Sequence, residues 1–156
     1  MKTLPIRCGS EDSLQIRAIA YEAAQDTPGD EPNKHRDSCP THDFFVEALD
    51  TLPKRWADLS SNLNETAKRG LSRNEEKFKS LVDGLFEFKS WQLRLICFFD
   101  DGFVVCTHGY IKKRRDAPRY EIDRARRMRA AYRNEKQRGT LYHVPPYAHP
   151  EIRRFI

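Results

Sequence analysis

The stretch "WQLRLICFFDDGFVVCTHGY", Trp91–Tyr110, holds two β-rich apolar runs separated by Asp-Asp-Gly. Asp-Gly between such runs is the strongest short-range hairpin signal, because a two-residue turn that matches strand twist needs positive φ, which Gly adopts without steric cost. With Asp101 and Gly102 as that turn, Phe99 faces Val104, Cys97 faces Cys106 and Leu95 faces His108 on one side of the ribbon. Arg94, Ile96 and Phe98 lie on the other, with Val105, Thr107 and Gly109. Both sides are largely apolar, so the pattern predicts a sheet covered on both faces.

The flanking sequence supplies the covers. Upstream, "LFEFK" reads as a strand over Leu85–Lys89, followed by strands over Trp91–Phe99 and Phe103–Tyr110. Before them stands "THDFFVEALDTLPKRWADLSSNLNETAKRG". Phe45, Val46, Leu49 and Leu52 recur at helical spacing, which predicts a helix from about His42 to Asp50. Pro53 cannot sit inside a helix but suits the first turn of a second one, running to Arg69 with Trp56, Leu59 and Leu63 on its apolar side. Gly70 is a natural stop, and the two form a tight helical hairpin. "LQIRAIAY", Leu14–Tyr21, alternates and predicts a first strand, although Ala18, Ala20 and Glu22 also allow a helix, and residues 23–41 are expected as a proline-rich, charged, flexible insertion. Beyond Pro118 a helix is expected from Arg119 to about Glu135, with Ile122, Ala125, Met128 and Ala131 or Tyr132 inward, followed by an extended arm over 137–156. The order strand, helix, helix, strand, strand, strand, helix makes a small α+β fold: an N-terminal strand and a helical hairpin packed on an antiparallel sheet, with a C-terminal helix, in a single domain over 1–156.

Charge is placed unevenly. Residues 1–111 carry 14 Lys/Arg against 18 Asp/Glu, whereas residues 112–136 carry 11 against 4. A cation excess confined to one segment points to a phosphate-rich partner, or to an acidic protein surface. The four cysteines form no CxxC pair, which argues against a zinc ribbon. No signal peptide or bilayer-length apolar run is evident, so the expected setting is a reducing cytoplasm, with Cys97 and Cys106 as packed core thiols.

The ordered pieces Leu85–Lys89, Leu93-Arg94, His108–Lys113, Pro118 and Glu121–Ala125 resemble the RelE/ParE toxin superfamily in its phage-derived, HigB-like branch, and Thr41–Gly70 resembles the two-helix portion of that branch. The resemblance implies a RelE-like fold and a toxin of a type II toxin–antitoxin system. It further implies a metal-independent, ribosome-dependent mRNA endoribonuclease in which the ribose 2′-OH attacks the neighbouring phosphate. No cofactor is expected. The implied partners are mRNA, the ribosome and a cognate antitoxin of the helix-turn-helix type, through which the toxin meets operator DNA. No membrane is involved.

Such chemistry needs a proton acceptor, cations for the phosphorane charge and a donor for the leaving oxygen. Arg94 interrupts the apolar strand "LRLICFF", and the resemblance places an arginine here beside the scissile phosphate. Its structural alternative is an ion pair with Glu87. Lys112 and Lys113 follow the last strand, and the register above puts Lys113 on Arg94's face. Lys89 stands where the branch often has arginine; it keeps the charge without the bidentate fork. Tyr120, near the helix start, stands close to where the resemblance implies an aromatic that stacks on a base or exchanges a proton; its structural alternative is a tyrosine covering the sheet. Arg114, Arg115 and Arg119 are expected as RNA phosphate contacts. His108, on the face opposite Arg94, reads as a satisfied core histidine. Two other functions share this scaffold: a ParE-like toxin that blocks DNA gyrase by binding it, and a nucleic-acid-binding module without catalysis. Clustering of Lys89, Arg94 and Lys113 around one anion site would favour the nuclease; their dispersal would favour gyrase inhibition.

Overall fold

The computed structural model describes residues 1–8, 14–22, 38–113 and 118–145. In chain order these form β1 (Lys2–Cys8), β2 (Gln15–Ala20), α1 (Pro40–Thr51), α2 (Pro53–Arg69), β3 (Phe78–Ser80), β4 (Phe86–Ser90), β5 (Leu93–Asp100), β6 (Phe103–Ile111), α3 (Arg119–Arg138) and β7 (Tyr142–His143). The strands make one sheet in the order β3-β4-β5-β6-β2-β1-β7. The fold is α+β, as the sequence indicates. The sheet is mixed rather than wholly antiparallel, because β2 joins β6 and β7 joins β1 in parallel.

Each helix is set by local chemistry. Pro40 and Pro53 open α1 and α2, where a fixed φ is useful and the missing N–H costs nothing. The stripe of α1 is Thr41, Phe44, Phe45 and Ala48, while Val46 and Leu49 are exposed. The stripe lies rotated from the expected Phe45, Val46, Leu49 and Leu52, because the large Phe44 ring takes the inward position and turns Val46 and Leu49 to solvent. In α2, Trp56, Leu59 and Leu63 are buried as expected, and Phe45 packs on Trp56 with ring centroids 4.6 Å apart. α3 buries Ala125, Met128 and Tyr132. It ends at Gly139 in the left-handed conformation, whose N–H satisfies the last carbonyls. The helical hairpin covers one sheet face and α3 covers the other, giving two apolar clusters. Among the described residues, no helix is long and apolar enough to cross a membrane.

Three elements differ from expectation. β1 and β3 are not among the expected strands: β1 carries only the short apolar set Leu4, Ile6 and Cys8 around Pro5, and β3 spans just Phe78–Ser80. Residues 38–41 of the expected insertion are ordered: Ser38 pairs with Tyr21 and α1 begins at Pro40. Residues 23–37 lie outside the described residues, as do 146–156 of the expected arm. That arm starts late, since α3 continues to Arg138, and its first part is β7 on the edge of β1.

The decisive difference is a β-bulge. The pairs Asp100↔Phe103, Phe99↔Val104 and Cys97↔Cys106 are as read from the turn, and Asp101 and Gly102 both have positive φ (44° and 81°). Ile96 then pairs with His108, so Thr107 is the extra residue. Its hydroxyl donates to Ile96 O at 3.2 Å, and its carbonyl accepts from Thr41 Oγ1 at 3.4 Å. Beyond this point β6 changes phase. Leu95 faces Gly109 rather than His108, and Arg94 faces Tyr110. His108, Tyr110 and Lys112 therefore share Arg94's side, while Gly109, Ile111 and Lys113 take the other. Cys97 and Cys106 are fully buried free thiols, and desolvation pushes both well above the ordinary thiol range.

Candidate active site

The phase change assembles a charged cluster on the α3 side of β4, β5 and β6. Lys89 pairs with Arg94, and Arg94 pairs with Tyr110. Lys112 extends the row, its N–H donating to Gln92 O at 2.7 Å. Two residues before Lys89, on the same side of β4, Glu87 places Oε1 3.5 Å from Arg94 Nε. Arg94 Nη1 donates to Leu93 O at 2.9 Å and also to Trp91 O. Arg94, Glu87 and Tyr110 are only 7 %, 4 % and 8 % exposed, while Lys89 and Lys112 are half-buried.

Three buried polar atoms in this cluster make no hydrogen bond among the described residues: Glu87 Oε2, Arg94 Nε and the Tyr110 hydroxyl. Such atoms are few in folded proteins and each calls for an explanation. Burial raises the Glu87 carboxyl above the usual carboxylate value, against the pull of Arg94, Lys89, Lys112 and Lys79. Burial, helped by Glu87, pushes the Tyr110 phenol up as well, so it stays a proton donor at neutral pH. A poised carboxyl, a guanidinium, two ammonium groups and a protonated phenol thus share one end of one sheet face.

His108 lies on the same face but is committed elsewhere. Its Nε2 is 2.6 Å from Glu121 Oε2 on the first turn of α3, and its Nδ1 is 3.1 Å from Thr107 Oγ1. It is a satisfied core histidine, as expected, although the bulge corrects the side on which it sits. Desolvation lowers its pKa despite Glu121. A histidine depressed in the fold contributes stability that is present above its unfolded value and lost as pH falls through that value. Unfolding stability should therefore drop below about pH 6.5. His108→Ala should lower it by about 2 kcal/mol by leaving Glu121 without its partner. Urea melts from pH 5 to 8 check both effects; a histidine variant that keeps the acid-side slope would refute the assignment.

The expected site residues fall into three groups. Arg94, Lys89 and Lys112 come together, with Lys89 Nζ also donating to Glu75 O at 3.1 Å. Lys113 does not join them; it is exposed and lines an adjoining cleft with Glu47, Tyr110, Pro118, Tyr120 and Glu121. Tyr120, 66 % exposed, stands at that cleft. Arg119 is exposed on the first turn of α3, 4.0 Å from Asp123. Arg114 and Arg115 lie outside the described residues.

Part of the basic helix is structural: Arg126 and Arg129 bind Asp83, and Lys136 binds Asp100 and Asp101. Arg124, Arg127, Arg133 and Arg138 are exposed. The reading from sequence missed Glu87 and Tyr110 as site residues. Glu87 had a signal, an acid inside "LFEFK" two places from Lys89; Tyr110 had none, because the bulge that turns it inward is silent.

The family described as Phage derived protein Gp49-like (DUF891) matches residues 47–130, more than half of the chain. That span includes every residue of the cluster. No curated protein matches the chain. The chain belongs to the phage-derived Gp49-like family, within the clan of RelE/HigB-like toxins.

Proposed function

We propose that this protein is the toxin of a type II toxin–antitoxin pair and cleaves mRNA on the ribosome without a metal. One observation carries this reading: Glu87, Lys89, Arg94, Tyr110 and Lys112 share a single sheet face, with unsatisfied polar atoms on Glu87, Arg94 and Tyr110. Ionised Glu87 takes the proton of the ribose 2′-OH as that oxygen attacks the adjacent phosphorus. Arg94, Lys89 and Lys112 balance the charge of the phosphorane. The bond to the 5′-oxygen breaks, and Tyr110 supplies the proton to the leaving group. The products are a 2′,3′-cyclic phosphate and a 5′-hydroxyl. Lys113 and Tyr120, in the adjoining cleft, hold the flanking nucleotide, and Arg114, Arg115 and Arg119 contact phosphates further along. The helix-turn-helix antitoxin expected from the resemblance would meet the exposed arginines of α3 and carry the toxin to operator DNA.

The test is induced expression with 5′-end mapping of cellular mRNA. Wild type should create new ends. Arg94→Lys, which keeps the charge but not the fork, should lower their yield by about a hundredfold or more. Arg94→Ala is the harsher variant, since the guanidinium also bonds two carbonyls and neutralises Glu87. Growth arrest with intact mRNA would transfer the reading to gyrase or another protein target.

A further inference from the structure

The turn between β4 and β5 holds a tryptophan where turns favour glycine. Trp91 has φ 52°, a left-handed conformation that strains residues with a Cβ. Its side chain is 58 % exposed, so burial in the core does not explain the choice. Two neighbours tie it to the cluster. Its carbonyl accepts from Arg94 Nη1, and the next residue's carbonyl accepts from the Lys112 N–H. Over its ring lies the Arg55 guanidinium of α2, 5.3 Å from the centroid. The ring is thus stacked with a cation and open to solvent, on a turn whose backbone carbonyls are bonded to Arg94 and Lys112.

We infer that Trp91, backed by Arg55, is a stacking site for a nucleobase of single-stranded RNA beside the phosphate cluster; this rests on the RNA-cleaving function proposed above. The chemistry favours RNA over an apolar ligand. An indole stacked on an arginine, on the turn that Arg94 bonds, offers a π-face next to cationic groups, the combination that holds unpaired nucleotides. The strained backbone supports a role for the side chain, because glycine would serve the turn better and would lack the ring.

Tryptophan fluorescence reads the site directly, since the only other tryptophan, Trp56, is buried against Phe45. The probe is a 2′-O-methylated RNA oligonucleotide, which cannot be cleaved by 2′-OH attack, titrated at low salt and followed in parallel by anisotropy of a labelled copy. Wild-type emission should be quenched on binding. Trp91→Ala should weaken binding about tenfold and Trp91→Phe less than that. Trp91→Gly should weaken it as much as alanine while leaving the melting midpoint unlowered.

Absence of quenching up to about 1 mM RNA, beyond ordinary nonspecific phosphate binding, would overturn the inference. So would wild-type RNA affinity in Trp91→Ala, including the case where that variant loses only a protein inhibitor. The two readings fail separately. Cleaved mRNA with an indifferent Trp91 removes the stacking site alone. Intact mRNA with Trp91-dependent RNA binding removes the nuclease alone.

Discussion

Glu87→Gln should reduce mRNA cleavage by a factor of about 10² to 10⁴, the range carried by a positioned general base, while leaving the protein folded. The two effects have one cause. Burial raises the Glu87 carboxyl despite Arg94 and three lysines, so its ionised form is less favoured in the fold than in the unfolded chain. A carboxyl raised in the folded state contributes stability that is complete below its unfolded value and is lost as pH rises through its folded value. Glutamine copies the neutral form, so its melting midpoint at neutral pH should equal or exceed that of wild type. Wild-type cleavage should rise as Glu87 ionises, above the ordinary Glu value near 4.5, and that limb should vanish in the variant. Single-turnover cleavage across pH, with thermal melts of both proteins, decides the matter. A glutamine variant that cuts at the wild-type rate would remove Glu87 from the chemistry.

The largest expected loss of stability is at Gly109. A Cβ there would lie 2.0 Å from Cδ1 of Phe44 and 2.2 Å from Cγ. That ring is 3 % exposed within the cluster under the helical hairpin, so it has little room to withdraw. Overpacking at such a site costs about 3 kcal/mol, which for a chain of this size lowers the midpoint by roughly 6–12 °C. The cause is specific to one ring. Phe44→Leu alone should destabilise through the lost aromatic volume, but combined with Gly109→Ala it should cost less than the two separate losses together. Additive losses would mean that the strand itself, rather than Phe44, resists the methyl group.

Both residues bear on how much of the protein was legible in its sequence. The helices and the central hairpin were, because each rests on local chemistry. Asp101-Gly102 dictates the turn, Pro53 and Gly70 bracket α2, and Trp56, Leu59 and Leu63 repeat at helical period. The cations of the site were legible too. An arginine inside "LRLICFF" and a lysine closing "LFEFK" are costly in strands unless they serve a purpose.

What the sequence by itself determined is therefore the element types, the two-sided sheet and the charged residue types at its rim. The strands β1 and β3 escaped it: β1 lies between β2 and β7, β3 is an edge strand of three residues, and their short apolar sets, Leu4 with Ile6 and Phe78 alone, find their place only against the assembled core. The tertiary structure alone decided which charges meet. Thr107 bulges because its hydroxyl and carbonyl find Ile96 and Thr41, residues 11 and 66 positions away. That one extra residue exchanges Lys113 for Lys112 beside Arg94 and turns Tyr110 toward Glu87's side of the sheet. A strand has a side-chain period of two, so a single unpaired residue reverses every assignment beyond it.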